Sequence, residues 1–270
     1  MSDAVVAPVK KPSGLTALAN PTRFMALSAR LLPWLWALAT VLTAVGIAWA
    51  WQAPEDYQQG ITVRIMYIHV PAAWLAMFTY SVMAASALGV LIWRHPLADV
   101  SIRAAVPIGA AFTFICLITG SLWGRPMWGT WWVWDARLTS VFVLFLMYAG
   151  IFALQRAMDD PARASRPVAL LVLVGFINIP IIKFSVDIWN TLHQPASVIR
   201  LDGPTIHPSM LWPLVVCALG LTFLFAAMHM LGMRNEIRRR RIDGMKRASA
   251  REDTGKRTRV VLDDGGATSA

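Results

Sequence analysis

The chain has 270 residues, 57% of them hydrophobic, and a mean hydropathy of +0.53. Only 15% are charged, against roughly 25% in a typical soluble domain, so a soluble globule is excluded and much of the surface has to face lipid. The formal net charge of +10 would suit a nucleic-acid binder, but the basic residues gather at the chain ends and in two short loops, which selects membrane lipid as the partner and no nucleic acid.

A spanning helix needs roughly 20 apolar residues, and six stretches qualify: 31–52, 66–93, 104–123, 138–155, 167–187 and 209–233. The expected fold class is therefore all-α, a polytopic membrane protein of about six transmembrane helices. Residues 1–30 read as a cytoplasmic N-terminal segment and 31–233 as the membrane domain. Residues 234–270, polar and basic, read as a disordered cytoplasmic tail drawn to anionic headgroups. The first stretch is too long for a signal-peptide core and no cleavage site follows it, so it reads as an uncleaved anchor. With both termini inside, all Lys and Arg but Arg64, Arg125, Arg137, Lys183 and Arg200 fall on the cytoplasmic side, as the positive-inside rule requires. The two cysteines, Cys116 and Cys217, sit in apolar runs, and neither CxxC nor CxxCH occurs. They read as small core residues, and the chain is not itself a c-type cytochrome.

The segment between the third and fourth spans concentrates the signal. Trp123, Trp128, Trp131, Trp132 and Trp134 fall within a dozen residues, followed by Asp135 and Arg137. An aromatic belt at the headgroups needs fewer tryptophans per helix end, and a shelf for a large planar ligand is the competing reading. If 128–140 is helical, Trp128, Trp131, Trp132 and Asp135 share a face. Gly124 and Gly129 would leave room for close approach, and Pro126 suits a turn or a helix start. Indoles offer apolar area with one N–H donor each. The arginines Arg64, Arg125, Arg137 and Arg200, on the side where basic residues are depleted, could clamp carboxylates such as haem propionates. Snorkelling from helix ends explains any one of them as well, and Asp135 with Arg137 could form a local ion pair.

Of the five histidines, His95 and His229 lie toward the cytoplasm, and His69, His193 and His207 toward the outside. Haem iron takes an axial imidazole on each side of the ring, which calls for histidines from separate segments. His69 begins the second span and His193 follows the fifth. His207, before the last span, is a spare candidate.

At these residues the chain resembles the CcmC family, haem-handling membrane proteins of bacterial cytochrome c maturation. The resemblance covers residues 30–233, and WWVWDARLTS (131–140) is its most specific part. RIMYIHVPAAW (64–74) and WNTLHQPAS (189–197) are similar to the family segments that carry the two axial ligands. The resemblance thus implies His69 and His193 as the haem-iron ligands and weakens His207. It further implies haem b, held non-covalently at the periplasmic face of the bacterial inner membrane, with the tryptophans around the ring and Arg137 or Arg64 on the propionates. The implied partners are a membrane-anchored periplasmic haem chaperone that receives the haem, the permease and ATPase subunits of an ABC-type haem export and release complex, and a small single-span subunit. The chain would then be a delivery protein with no catalytic residue of its own. Two other readings stand beside this one. A haem lyase would usually be longer and carry more intramembrane histidine. A haem-translocating permease would need polar groups along a path, for which Asn178, Lys183 and Asp187 are few.

Overall fold

The computed structural model describes residues 20–266, apart from 159, 195, 196 and 199, and describes side chains only as far as 250. The expected all-α membrane fold is present. Six helical segments are long and apolar enough to cross a membrane, and the described residues form no strand beyond one bridge between Asp56 and Gly60. Backbone groups in lipid have no water to bond, so helices, which satisfy them internally, are what such a sequence can build.

Helix α1 spans Pro21–Gln52, with Asn20 accepting the Thr22 N–H at 2.8 Å as its cap. After a short loop and a 3-10 turn, Ile61–Ile65, α2 runs Met66–Trp93. Helix α3 is Pro96–Trp128 and α4 is Ala136–Ala157. The fifth span is divided into α5, Pro161–Phe176, and α6, Asn178–Ile188. Helix α7 starts at Pro208 and continues to Gly266.

Several boundaries differ from the expected ones for identifiable reasons. α3 extends five residues beyond 123 and takes Trp128 with it. It stops because Gly129 adopts a left-handed conformation, φ 75°, and returns its N–H to the Arg125 carbonyl at 3.1 Å. The stretch 128–140 is therefore not one helix: residues 129–135 are a linker, and the shared face inferred for Trp128, Trp131, Trp132 and Asp135 does not form. Pro126 lies in the last turn of α3 rather than at a helix start. The fifth span breaks at Ile177 because Pro180 has no N–H for the Phe176 carbonyl and its ring crowds that turn. The buried Asn178 bridges the break by donating to the Ser140 carbonyl at 2.9 Å. Where a disordered segment was expected from 234, α7 continues as a helix. Its first turns there are fixed by Glu236 to Arg239 (2.8 Å) and Arg240 (2.7 Å), and Arg240 pairs with Asp99 of α3. Charge pairs at three- and four-residue spacing support a helix.

The core is aliphatic and tyrosine-rich: Leu75, Tyr80, Met83, Ile102, Leu144, Tyr148 and Val172 are fully buried. Small residues let the helices approach, as is usual between membrane helices. A Cβ at Gly220 of α7 would meet the Thr43 backbone nitrogen at 2.6 Å, and one at Gly46 of α1 would meet Cys217 Sγ at 2.7 Å. Gly109 and Gly175 lie directly against the rings of Tyr148 and Tyr80. Tyr148 also donates to the Ala76 carbonyl at 2.8 Å, joining α4 to α2. Cys116 and Cys217 are buried and unbonded. At the end of the bundle away from the tryptophans, Arg234 donates to the Met25 carbonyl (2.6 Å) and to Ser28 Oγ (2.7 Å), tying α7 to α1.

Asn178→Leu keeps the volume but leaves the Ser140 carbonyl without this donor. It should lower the unfolding free energy by about 0.6–1.7 kcal/mol, the range for interhelical hydrogen bonds in membranes. Denaturant titration in mixed micelles measures this, and an unchanged midpoint would show that Asn178 does not secure the break.

Candidate functional site

A cavity of about 620 Å³ opens at the tryptophan end of the bundle, within the size range of ligand sites. Its walls come from the loop 56–59, from α2, α3, α4 and α6, from the loop before α7, and from Met210 of α7. His69 and His193, from separate segments, both line it. Trp123, Trp128 and Trp132 line it as well, as do Arg137 and, outside the expected set, Trp74, Lys183, Gln59, Met66, Met77, Met127 and Met210.

Two tryptophans act on the histidines. Trp123 packs edge-on against the His69 ring, centroids 5.7 Å apart, and Trp128 packs against His193 at 5.0 Å. Trp123 is itself oriented by its Nε1–H, which donates to Gln59 Oε1 at 2.9 Å. Gln59 is placed by an Asx turn in which Asp56 Oδ1 accepts the N–H groups of Gln58 and Gln59, each at 2.9 Å. Trp132 keeps a buried Nε1–H with no hydrogen-bond partner among the described residues. Trp131 and Trp134 are 55% and 73% exposed and do not line the cavity.

Asp135 performs two tasks. Oδ1 accepts the Leu138 N–H at 2.8 Å and caps α4, and Oδ2 faces His193 Nδ1 at 3.5 Å. Burial pushes the His193 imidazole below its ordinary value of 6.5, Asp135 pulls it up, and Arg137 pushes it down further. The local ion pair considered for Asp135 and Arg137 is not formed. Arg137 reaches instead to α6, donating to Ser185 Oγ (3.1 Å) and to the carbonyls of Lys183 (3.4 Å) and Ile182 (3.5 Å). It thereby holds the start of α4 against the lower half of the broken span.

The remaining candidates have other positions. Arg64 stacks over Trp51 at 5.1 Å, and Arg125 donates to the Gly129 carbonyl and lies 6.0 Å over Trp131. Neither lines the cavity. Arg200 already holds a carboxylate, Asp202, through two bonds of 2.6 and 2.9 Å. His207, also outside the cavity lining, turns Nδ1 to Ser209, 2.7 Å from its Oγ and 3.3 Å from its N–H, at the start of α7. Gly124 does allow a close approach, since a Cβ there would meet Trp128 at 2.9 Å; at Gly129 nothing lies near, and its contribution is the left-handed φ. Gln59, Trp74 and the methionines gave no pattern in sequence, because a loop turn and a lipid-like helix face converge on the cavity only in three dimensions.

The residues present suit a large ligand with an apolar face, polar edges and a metal centre. Two imidazoles supply nitrogen lone pairs, tryptophan and methionine supply apolar contact, and Arg137, Lys183 and the Trp132 N–H supply groups for anionic edges. The described residues contain no His/Cys/Asp/Glu cluster for a bare metal ion.

A six-span helical protein with two imidazoles lining a cavity at one end is, by class, a polytopic membrane protein with a candidate ligand site. Its family is settled by comparison. The family model "CcmC: Heme exporter protein C" matches residues 14–248. "Heme exporter protein C" of Bradyrhizobium diazoefficiens is 62% identical over 236 residues, 87% of this chain and 90% of that one. The protein of the same description from Escherichia coli K12 is 46% identical over 224 residues, 83% and 90% of the two chains. A "Putative cytochrome c biosynthesis ccmC-like mitochondrial protein" of Marchantia polymorpha is 45% identical over 221 residues, 82% and 94%. The chain belongs to the heme exporter protein C family.

Because the folded state holds His193 below the value of the free side chain, the unfolded chain binds a proton first on acidification. This histidine should cost nothing above about pH 6.5 and destabilise the fold as the pH falls through that value, levelling off below its folded pKa. In Asp135→Asn the cap of α4 persists, since Asn caps as well as Asp, while the upward pull on His193 is lost. Histidine NMR titration should show the His193 pKa lowered further, and an unmoved pKa would mean that Asp135 does not act on it.

Proposed function

We propose that this chain binds haem b non-covalently in the cavity and presents it to a membrane-anchored haem chaperone. The observation that carries the reading is the convergence of His69 and His193 on one apolar cavity, each against a tryptophan of the 123–134 segment. In this reading the two Nε2 atoms ligate the iron from opposite sides. Trp123 and Trp128 hold the histidines, and Trp132 with Trp74 contacts the ring. Arg137 and Lys183 meet the propionates. Haem is cargo here, so the ligands have to capture it and still release it, and the chain assists a transfer rather than catalysing one of its own.

The cavity end faces the periplasm and both termini the cytoplasm of a bacterial inner membrane, a placement supported by the distribution of Lys and Arg. The working complex includes ABC-type permease and ATPase subunits and a small single-span subunit, consistent with family membership. Trp131 and Trp134, exposed beside the cavity, supply the surface for the chaperone. Arg64 and Arg125, engaged with Trp51 and with the linker, shape this rim.

The test is the visible spectrum of the detergent-purified chain supplied with haem, beside His69→Ala and His193→Ala. The wild type should give a six-coordinate low-spin spectrum. Each variant should lose it and retain haem less well, without a change in unfolding temperature. Wild-type spectra in both variants would reject the ligand assignment.

A further inference from the structure

Thr119 lies in α3, one turn before Trp123, level with His69 of α2. Its Oγ1 is 3.0 Å from His69 Nδ1, 2.6 Å from the Ile115 carbonyl oxygen and 3.3 Å from the Cys116 carbonyl oxygen. A threonine hydroxyl carries one proton. Carbonyl oxygens can only accept, so that proton belongs to the helix carbonyls, with Ile115 the nearer. The hydroxyl then meets the imidazole with a lone pair, and His69 Nδ1 has to be the donor. In a neutral ring protonated at Nδ1, Nε2 carries the lone pair.

Gly120 makes the contact possible. A Cβ there would come 3.0 Å from His69 Cε1 and 3.6 Å from Nδ1, so the bare backbone lets the ring lie close against α3. Trp123 closes the ring from a third side. The orientation of His69 is thus determined on both helices before any ligand arrives.

We propose that Thr119 is a positioning residue: its hydroxyl, anchored on the Ile115 carbonyl, locks His69 in the Nδ1–H tautomer and presents the Nε2 lone pair to the cavity as a metal ligand. This rests on the reading of His69 as a haem ligand and adds a residue that acts through it. The two imidazoles are then supported unequally. His193 sits in a loop beside the Asp135 carboxylate, and His69 sits within a helix against a neutral hydroxyl, which makes it the weaker-donating and more rigid of the pair.

The experiment uses the full chain in detergent with Thr119→Val, Thr119→Ser and His69→Ala, before and after adding haem. In the apo wild type, ¹⁵N shifts of labelled histidine should show His69 protonated at Nδ1. In Thr119→Val, which removes the hydroxyl and keeps the shape, the ring should shift toward the Nε2–H tautomer. The haem dissociation constant should rise about 10-fold, the lower end of losses for partners of metal-bound histidine, and the reduction potential should rise because the imidazole donates less. Thr119→Ser should restore all three. A wild-type His69 protonated at Nε2, or a folded Thr119→Val variant with wild-type tautomer, affinity and potential, would overturn the proposal. A haem spectrum unchanged in His69→Ala would instead reject the axial role, while the apo tautomer measurement still decides what Thr119 does.

Discussion

A carboxylate at the mouth of a membrane helix has to find donors close by, because lipid supplies none, and Asp135 meets that constraint in a way that organises the whole tryptophan end. One oxygen starts α4 and the other faces His193. The linker 129–135 can leave α3 only because Gly129 turns it, and it can rejoin the bundle only where Asp135 finds the Leu138 N–H. Capping bonds of this kind contribute about 1 kcal/mol, a small term that here fixes where α4 begins. It also fixes where Arg137 stands, and thus how α6 is gripped.

The division of the fifth span follows from the same economy of polar groups. Pro180 frees a carbonyl, Asn178 bonds across to α4, and Arg137 takes up carbonyls of α6. Irregular backbone at membrane depth is tolerated where protein or a cavity covers it, and α6 forms one wall of the cavity. The interruption places Lys183 and Asp187 in the lining of that cavity.

The tryptophans divide by position into two sets with different tasks. Trp123 and Trp128, on the rigid end of α3, touch imidazoles. Trp131 and Trp134, in the linker, face outward. Trp132 joins the two sets, packing edge-on against Trp134 and Phe142 while lining the cavity. The count left a shelf and an aromatic belt as competing readings; the structure distributes the tryptophans into supports for two histidines, a cavity wall and an exposed rim.

Six apolar runs could be read directly because the length of a span is set by the bilayer and needs no partner. The residue pattern left His69, His193 and His207 as three outer candidates, and the family resemblance singled out the first two, because an imidazole's partners lie on other segments and leave no mark in its own. The limits of the elements were less legible. The extension of α3 to Trp128, the break at Ile177 and the continuation of α7 past 233 each depend on a cap, a missing N–H or an ion pair made with another helix. Gln59 and Thr119 carried no sequence signal at all, being ordinary polar residues until the fold sets one against Trp123 and the other against His69. Local composition determines what enters lipid, since hydropathy acts residue by residue. Which side chains meet at the cavity is decided by hydrogen bonds between segments distant in sequence, and those exist only once the helices are packed.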